Sequence, residues 1–242
     1  MAVWPTSLVQ QVTADGYEET YLESAIHSSM SVGRKNRLRD PSVIKTYNVR
    51  VPLSDDDKDT LFGFWSTTIS NGTGSFDWVK FDDGVTSHSY KMLSDPDITA
   101  VGNGIWYVTL KLIDAAPQRV IDTTIIPSAA SWPTTLPQGA NVSGWKESWN
   151  GYSLRSGLMP GKNFRSRGSL TEKRLSISMM ITLAQKAIFE VWYEDDLVLG
   201  AKPFTCSAWT TGATERYVML TPPKFNALGA GLFNLSLEVV SL

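Results

Sequence analysis

Large apolar residues recur at every second position through several stretches of this chain, the signature of strands with one buried face. Over residues 43–53, Val43, Tyr47, Val49 and Val51 fall on one side and Thr46, Asn48 and Arg50 on the other. Leu175, Ile177, Met179, Ile181 and Leu183 repeat the pattern more cleanly. In residues 105–113, Ile105, Tyr107, Thr109, Lys111 and Ile113 alternate with Trp106, Val108, Leu110 and Leu112. The period changes to that of a helix once in each half. Ser54, Asp55, Asp56 and Asp57 place a capping hydroxyl and acidic groups where a first helical turn has free N–H groups. Leu61, Trp65 and Ile69 follow at i, i+4 and i+8 with Phe62 beside them, so one helix face packs on the sheet. Thr182 caps the counterpart, which carries Ile188, Phe189 and Trp192. A hairpin joins residues 76–81 to 85–93 around Asp82, Asp83 and Gly84. Gly102, Asn103 and Gly104 make a second turn, ahead of a strand and so without the helix N-terminus a phosphate loop needs.

These elements come twice in one order, which identifies an internal duplication. Trp4-Pro5-Thr6-Ser7-Leu8 returns 128 positions later as Trp132-Pro133-Thr134-Thr135-Leu136, and Gly33, Arg37 and Arg39 return as Gly161, Arg165 and Arg167. A shift of 127 takes Leu61, Phe62 and Trp65 to Ile188, Phe189 and Trp192. The same shift takes Tyr90, Met92, Leu93 and Pro96 to Tyr217, Met219, Leu220 and Pro223, and residues 102–106 to 229–233. The change of shift places a one-residue insertion or deletion between Arg39 and Leu61. The expected organisation is a first domain at residues 1–114, a linker at 115–131 containing Pro117 and Pro127, and a second domain at 132–242. Each copy has five or six strands and one helix, so the expected fold is mainly β, a β-sandwich or barrel flanked by a helix and used twice. Each copy also carries a polar stretch, residues 13–40 and about 150–168, too long for a turn. With little apolar surface to offset their ordering entropy, these arms are expected to be loosely held in the monomer and to order between subunits.

Composition narrows the classes of function. An apolar share of 42% with 11% aromatic residues is that of a folded globular protein. Cys206 is the only cysteine, which excludes an intrachain disulfide and a zinc site of several cysteines and points to synthesis in a reducing cytosol. The first twelve residues have neither a basic nor an apolar signal region, and no window approaches a bilayer span, so classical export and membrane insertion are not expected. A net charge of −2 argues against a protein that grips nucleic acid. Residues 1–120 hold 11 Lys and Arg against 15 Asp and Glu, and the rest hold 11 against 9, giving −4 and +2.

Catalytic constellations are nearly absent. His27 and His88 are the only histidines and sit in no metal-ligand or nucleophile spacing. The carboxylate pairs Asp55 and Asp59, and Asp95 and Asp97, are explained by a helix start and a turn. The chain is therefore expected not to be an enzyme, with no catalytic residue, no metal and no cofactor. Nine tryptophans raise the alternative of a cell-surface carbohydrate-binding module. Trp65 and Trp192 are helix-core positions and Trp106 is matched by Phe233, which leaves Trp145 and Trp149 as the aromatic faces open to a sugar. Basic residues cluster in both arms, Arg34, Lys35, Arg37 and Arg39 in the first and Lys162, Arg165 and Arg167 in the second. Their retention at matching places favours subunit contacts, arginine forks meeting carboxylates such as Asp55 and Asp56, over a merely solvated loop.

Asp15-Gly16-Tyr17, Lys45-Thr46-Tyr47-Asn48-Val49 before the helix, and Gly74-Ser75-Phe76-Asp77-Trp78 after it resemble the Asp-Gly-Tyr, Lys-Thr-Tyr-x-Val and Phe-x-Trp elements of the tail-tube superfamily of long-tailed bacteriophages. Within it the chain is similar to the minor (distal) tail proteins of the lambda M type. The match covers about residues 12–114, and the second copy carries its echo, with Gly151-Tyr152 as a displaced answer to Gly16-Tyr17. The resemblance implies a structural protein of the virion tail, without enzyme activity. It implies a long arm pairing into a neighbour's sheet, assembly into a ring around a DNA channel, contacts with other tail proteins, and DNA only as transient cargo. In a superfamily whose rings hold six domains, a chain with two would close a ring as a homotrimer of pseudo-six-fold symmetry.

Overall fold

The computed structural model describes residues 2–13, 16–23, 25–28, 35–81, 84–117, 119–120, 130–141, 144–155, 164–207, 209 and 213–241. The strands of the first half are β1 (Ala2–Val3), β2 (Tyr17–Tyr21), β3 (Ala25–Ser28), β4 (Lys35–Leu38), β5 (Ser42–Val43) and β6 (Lys45–Leu53). After helix α1 (Asp55–Gly63) come β7 (Ser75–Val79), β8 (Ser87–Met92), β9 (Asp97–Gly102), β10 (Ile105–Asp114) and β11 (Arg119–Val120). The second half contains β12 (Ala130–Ser131), β13 (Trp145–Arg155), β14 (Phe164–Thr182), helix α2 (Leu183–Val191), β15 (Phe204–Ser207), β16 (Thr214–Met219), β17 (Lys224–Gly229) and β18 (Leu232–Ser241). The protein is mainly β, and fourteen of these strands belong to one large mixed sheet.

Two compact units are present, and each is discontinuous in sequence. The first takes Met1–Leu22, Ser42–Val120 and Lys224–Asn234, the second Glu23–Pro41, Ile121–Pro223 and Leu235–Leu242. In the first unit the strands run β1-β7-β8-β10-β6-β2-β17, with β9 also on β10. In the second they run β12-β15-β16-β18, with β14 on β18 and β13 on β14. The parallel pairs are β1 with β7 and β12 with β15, and they match: Ala2 lies opposite Phe76 as Ala130 lies opposite Phe204.

Burial follows the alternation. Tyr47, Val49, Val51 and Leu53 are buried along β6, as are Leu175, Ile177, Met179 and Ile181 along β14 and Val108, Leu110 and Leu112 along β10. Leu183 breaks the expected run. Thr182 leaves the strand to cap α2, and Leu183 opens the helix 40% exposed. Both helices begin with a reciprocal capping box, Ser54 with Asp57 and Thr182 with Gln185. Each then widens into a π-helical turn, Phe64–Thr68 and Trp192–Asp196.

That turn corrects the expected register of the helix. Leu61 and Phe64 are buried at α-helical spacing and the wide turn brings Ile69, five residues on, back to the same face, while Trp65 is half-buried and Phe62 61% exposed. The equivalent residues are Leu61 and Phe189, Phe64 and Trp192, and Trp65 and Tyr193, all at a shift of 128 rather than 127. Ring contacts agree, since Trp4 meets Phe64 at 5.6 Å and Trp132 meets Trp192 at 5.1 Å. The change of shift lies further on. Phe76 pairs with Tyr90 and Phe204 with Tyr217, so the deletion falls in the β15–β16 hairpin and not before Leu61.

Two other details recur in both halves. The indole N–H of Trp4 donates to the Val9 carbonyl and that of Trp132 to the Pro137 carbonyl, while Gln10 and Gln138 close the same loop by donating to Pro5 and Leu8, and to Pro133 and Leu136. After each helix three consecutive residues take left-handed conformations, Ser70, Asn71 and Gly72 in one copy and Val198, Leu199 and Gly200 in the other. Such backbone costs about 1–2 kcal/mol per non-glycine residue, and burial of the Val198 and Leu199 side chains offsets it.

The described parts of both arms lie mainly on strands. They contain hairpins within the single chain: Ala25 opposite Leu38 and Ile26 opposite Arg37 in β3–β4, and Ser153 opposite Ser166 and Leu154 opposite Arg165 in β13–β14. The shift of 128 therefore persists through both arms. Gly16 is answered by Gly144, not by Gly151. A Cβ on Gly16 would lie 2.5 Å from Arg50 Cβ, and one on Gly144 2.5 Å from the Ser178 carbonyl oxygen, the same strand position 128 residues on.

Candidate functional site

The residues that alternate away from the core make one face of the first unit's sheet polar. Tyr17 pairs with Val49 and Glu18 with Asn48, Lys111 lies opposite Asn48, and Asn226 opposite Glu18. A row of Lys111, Asn48, Glu18 and Asn226 therefore crosses four strands. Arg50 sits beside it with its guanidinium 4.8 Å from the Tyr107 ring centre. Asn48, Glu18, Asn226 and Arg50, with Gly16, Tyr17, Thr109 and Leu228, line a shallow open groove of about 560 Å³. Such a surface presents hydrogen-bonding and mixed-charge groups and no enclosed reaction chamber.

Beneath it a chain of buried polar groups ties the strands. Glu19 is on the core side of β2, where Lys45 Nζ reaches its Oε1 at 2.8 Å and the Tyr17 hydroxyl donates to its Oε2 at 2.5 Å. Lys45 Nζ also lies 4.9 Å from the Tyr21 ring centre. The backbone N–H of Lys45 donates to Asp114 Oδ2 at 2.6 Å, and Tyr47 and His88 bond Asp114 Oδ1 at 3.1 and 2.7 Å. Glu19, Lys45 and Asp114 are all buried, and these bonds are what make that burial tolerable. The Tyr47 hydroxyl is pushed far above its ordinary pKa by burial first and by the Glu19 and Asp114 charges second.

Sequence reasoning missed this cluster. Its signal was a charged residue at an apolar-face position, Glu19 between Tyr17 and Tyr21 and Lys45 two before Tyr47. The ion pair recurs as Lys173 Nζ to Glu147 Oε2 at 3.9 Å, at a more open position. The Asp114 group does not recur, because Ser241 and Glu215 stand where the repeat would place Asp114 and His88. His88 is half-buried, and among the described residues its hydrogen-bond partner is Asp114. Asp114 thus ties His88 of β8 and Lys45 and Tyr47 of β6 to the end of β10. Among the described residues no group of three or more His, Cys, Asp or Glu is placed to hold a metal ion. No helix among them is long and apolar enough to cross a membrane.

The residues expected at subunit contacts fall as follows. Arg34 and Lys162 lie outside the described residues, and Lys35, Arg37, Arg165 and Arg167 lie on the arm strands β4 and β14. Arg39 is exposed in the bend after β4. Asp55 accepts a 2.6 Å bond from the Trp106 indole and has Lys58 3.9 Å away, while Asp56 is exposed in the first turn of α1. Trp145 is half-buried.

The sheet edges complete the surface. β17 lies against β2, with Lys224 opposite Thr20, Phe225 opposite Glu19 and Asn226 opposite Glu18, and Lys224 Nζ approaches Glu18 Oε1 at 3.7 Å. β9, the counterpart of β17, pairs only with β10 among the described strands, and β13, the counterpart of β2, only with β14. No protein-family model matches this chain, and no curated protein matches its sequence.

Proposed function

We propose that the protein is a structural component of a long-tailed phage tail, a ring of the tail tube or of its distal tip through which DNA passes. The observation that carries this reading is the repeated sheet, polar on one face in the first unit, in which β9 pairs only with β10 and β13 only with β14 among the described strands. Each copy contributes four strands to such a sheet: β9, β10, β6 and β2, then β17, β18, β14 and β13. Three chains joined edge to edge would give roughly 24 strands. At about 4.8 Å between strands and a tilt near 40°, such a barrel measures roughly 48 Å across at the backbone, wide enough for a duplex. The face lining it would mix Glu18, Arg50 and Lys111 with neutral Asn48 and Thr109, a lining that slides past a polyanion without gripping it.

The assembly is a homo-oligomer, three chains in a pseudo-six-fold ring, and its role is mechanical and not enzymatic. Negatively stained images of the purified protein test this. Rings or short tubes with a central hole are expected, whereas monodisperse particles without a hole, together with retention on a glycan array, would replace this reading with that of a sugar-binding module.

A further inference from the structure

We infer that the free edge of β9 pairs with the free edge of β13 in a second copy of this chain, in the register that β17 and β2 already show. The inference deepens the ring reading and rests on it for the closure of the assembly, though not for the pairing itself. Three observations carry it.

First, the strand equivalences are fixed by the strand pairings. β9 corresponds to β17 at a shift of 127 and β2 to β13 at 128, because Tyr17 faces Val49 as Trp145 faces Ile177. Carried across, the register sets Asp97 opposite Ser148, Ile98 opposite Glu147 and Thr99 opposite Lys146 of the neighbouring chain.

Second, burial distinguishes the edge that is made from the edges that are not. Phe225 is fully buried against β2, whereas Ile98, at the matching place in β9, is 39% exposed. All six residues of β9 are exposed. Glu19 is 1% exposed, while the side chain of its counterpart Glu147 is 27% exposed. A bare strand edge carrying Ile98 is a template for another chain, and addition of a strand would cover that position as β2 covers Phe225.

Third, the ion pair of the existing junction returns with its signs exchanged. Lys224 meets Glu18 within the chain. The counterpart of Lys224 is Asp97 and that of Glu18 is Lys146, and both are exposed. Asp97 of one chain would thus meet Lys146 of the next. The wrong matings are penalised: β17 on β13 would set Lys224 against Lys146, and β9 on β2 would set Asp97 against Glu18. Reversed polarity makes the contact head-to-tail and fixes the order of copies around the ring.

The test is a charge-reversal cycle with a cross-link. Asp97→Lys and Lys146→Asp, separately, should each raise the concentration at which the oligomer dissociates by about threefold to thirtyfold. The double variant should restore it. Thr99→Cys with Lys146→Cys in a Cys206→Ser background should oxidise to covalent chain-to-chain species, and either cysteine alone should yield at most a dimer. Circular dichroism of each variant as a monomer separates misfolding from lost assembly. Rings that persist unchanged in both single variants, with no cross-link, overturn the edge pairing while leaving the ring reading standing. A wild-type chain that stays monomeric overturns both.

Discussion

Removal of the Lys45 ammonium should cost far more than removal of its counterpart Lys173. In the first unit Lys45 and Glu19 have side chains 3% and 2% exposed and lie 2.8 Å apart, beneath the strand that places Phe225 opposite Glu19. Lys45→Met would remove the ammonium 2.8 Å from that buried carboxylate, and breaking a buried pair by removing one partner costs about 3–5 kcal/mol. Lys173 lies 3.9 Å from both Glu147 and Glu215, whose side chains are 27% and 30% exposed. Water solvates these carboxylates once the lysine is gone, and the loss should be about 0–1 kcal/mol. Urea unfolding of the chain at a concentration where it is monomeric measures both. For a chain of this length 1 kcal/mol shifts the melting midpoint by about 2–4 °C, so Lys45→Met should melt roughly 6–20 °C lower and Lys173→Met within a few degrees of wild type. Pairing Lys45→Met with Glu19→Met should recover most of the loss, because no charge is then stranded. In the assembled ring β9 of a neighbour would cover Glu147, and the cost of Lys173→Met should rise towards that of Lys45→Met. Equal losses for the two variants in the monomer, or no recovery in the double variant, would refute the reasoning.

Phe64→Ala and Trp192→Ala should each cost about 3–5 kcal/mol, and Trp65→Ala, from a half-buried site, about 1–2 kcal/mol; denaturant titration in which Trp65→Ala matches Phe64→Ala would restore the other helix register. Burial pushes the Cys206 thiol up to about 12, so the native protein should be inert to a thiol-specific reagent at pH 8 and react stoichiometrically in urea; rapid native labelling would contradict this. Burial likewise raises Tyr47, Tyr193 and Tyr217 above the ordinary phenol range. The folded state then keeps protons that the unfolded chain releases from about pH 8.5 for the thiol and 10 for the phenols, so stability is full below those values and falls as pH rises above them. A urea midpoint unchanged between pH 8 and 11 would oppose that sign.

Strands β6, β7, β8, β10 and β14, both helix caps and the hairpin turns were legible because each rests on local chemistry: alternation, a hydroxyl before a helix, a glycine that takes positive φ. Strands β2, β9, β13 and β17 carry no such alternation and do not read as strands in the sequence. What escaped was set by tertiary context. The π-helical turn from Phe64 spaces the buried Leu61, Phe64 and Ile69 at three and then five residues, and nothing local separates Phe64 from Trp65 as the inward residue. The deletion lies in the β15–β16 hairpin, where loop residues are interchangeable, so a sequence comparison placed it at the wrong boundary. Glu19 and Lys45 read as surface charges by type and as core by position, and position prevailed because each found the other. The candidate assembly surface was half visible: the duplication announced a repeated contact, but the exchange of Lys224 and Glu18 for Asp97 and Lys146 emerges only once strand registers tie those four positions together.

Native mass spectrometry of the assembled protein tests the central claim most directly. A closed head-to-tail ring of duplicated chains predicts a dominant species near 80 kDa, three times the 26.7 kDa chain, with no ladder of longer oligomers. A ring of six chains, an open series without a preferred size, or a monomer at every concentration would contradict it.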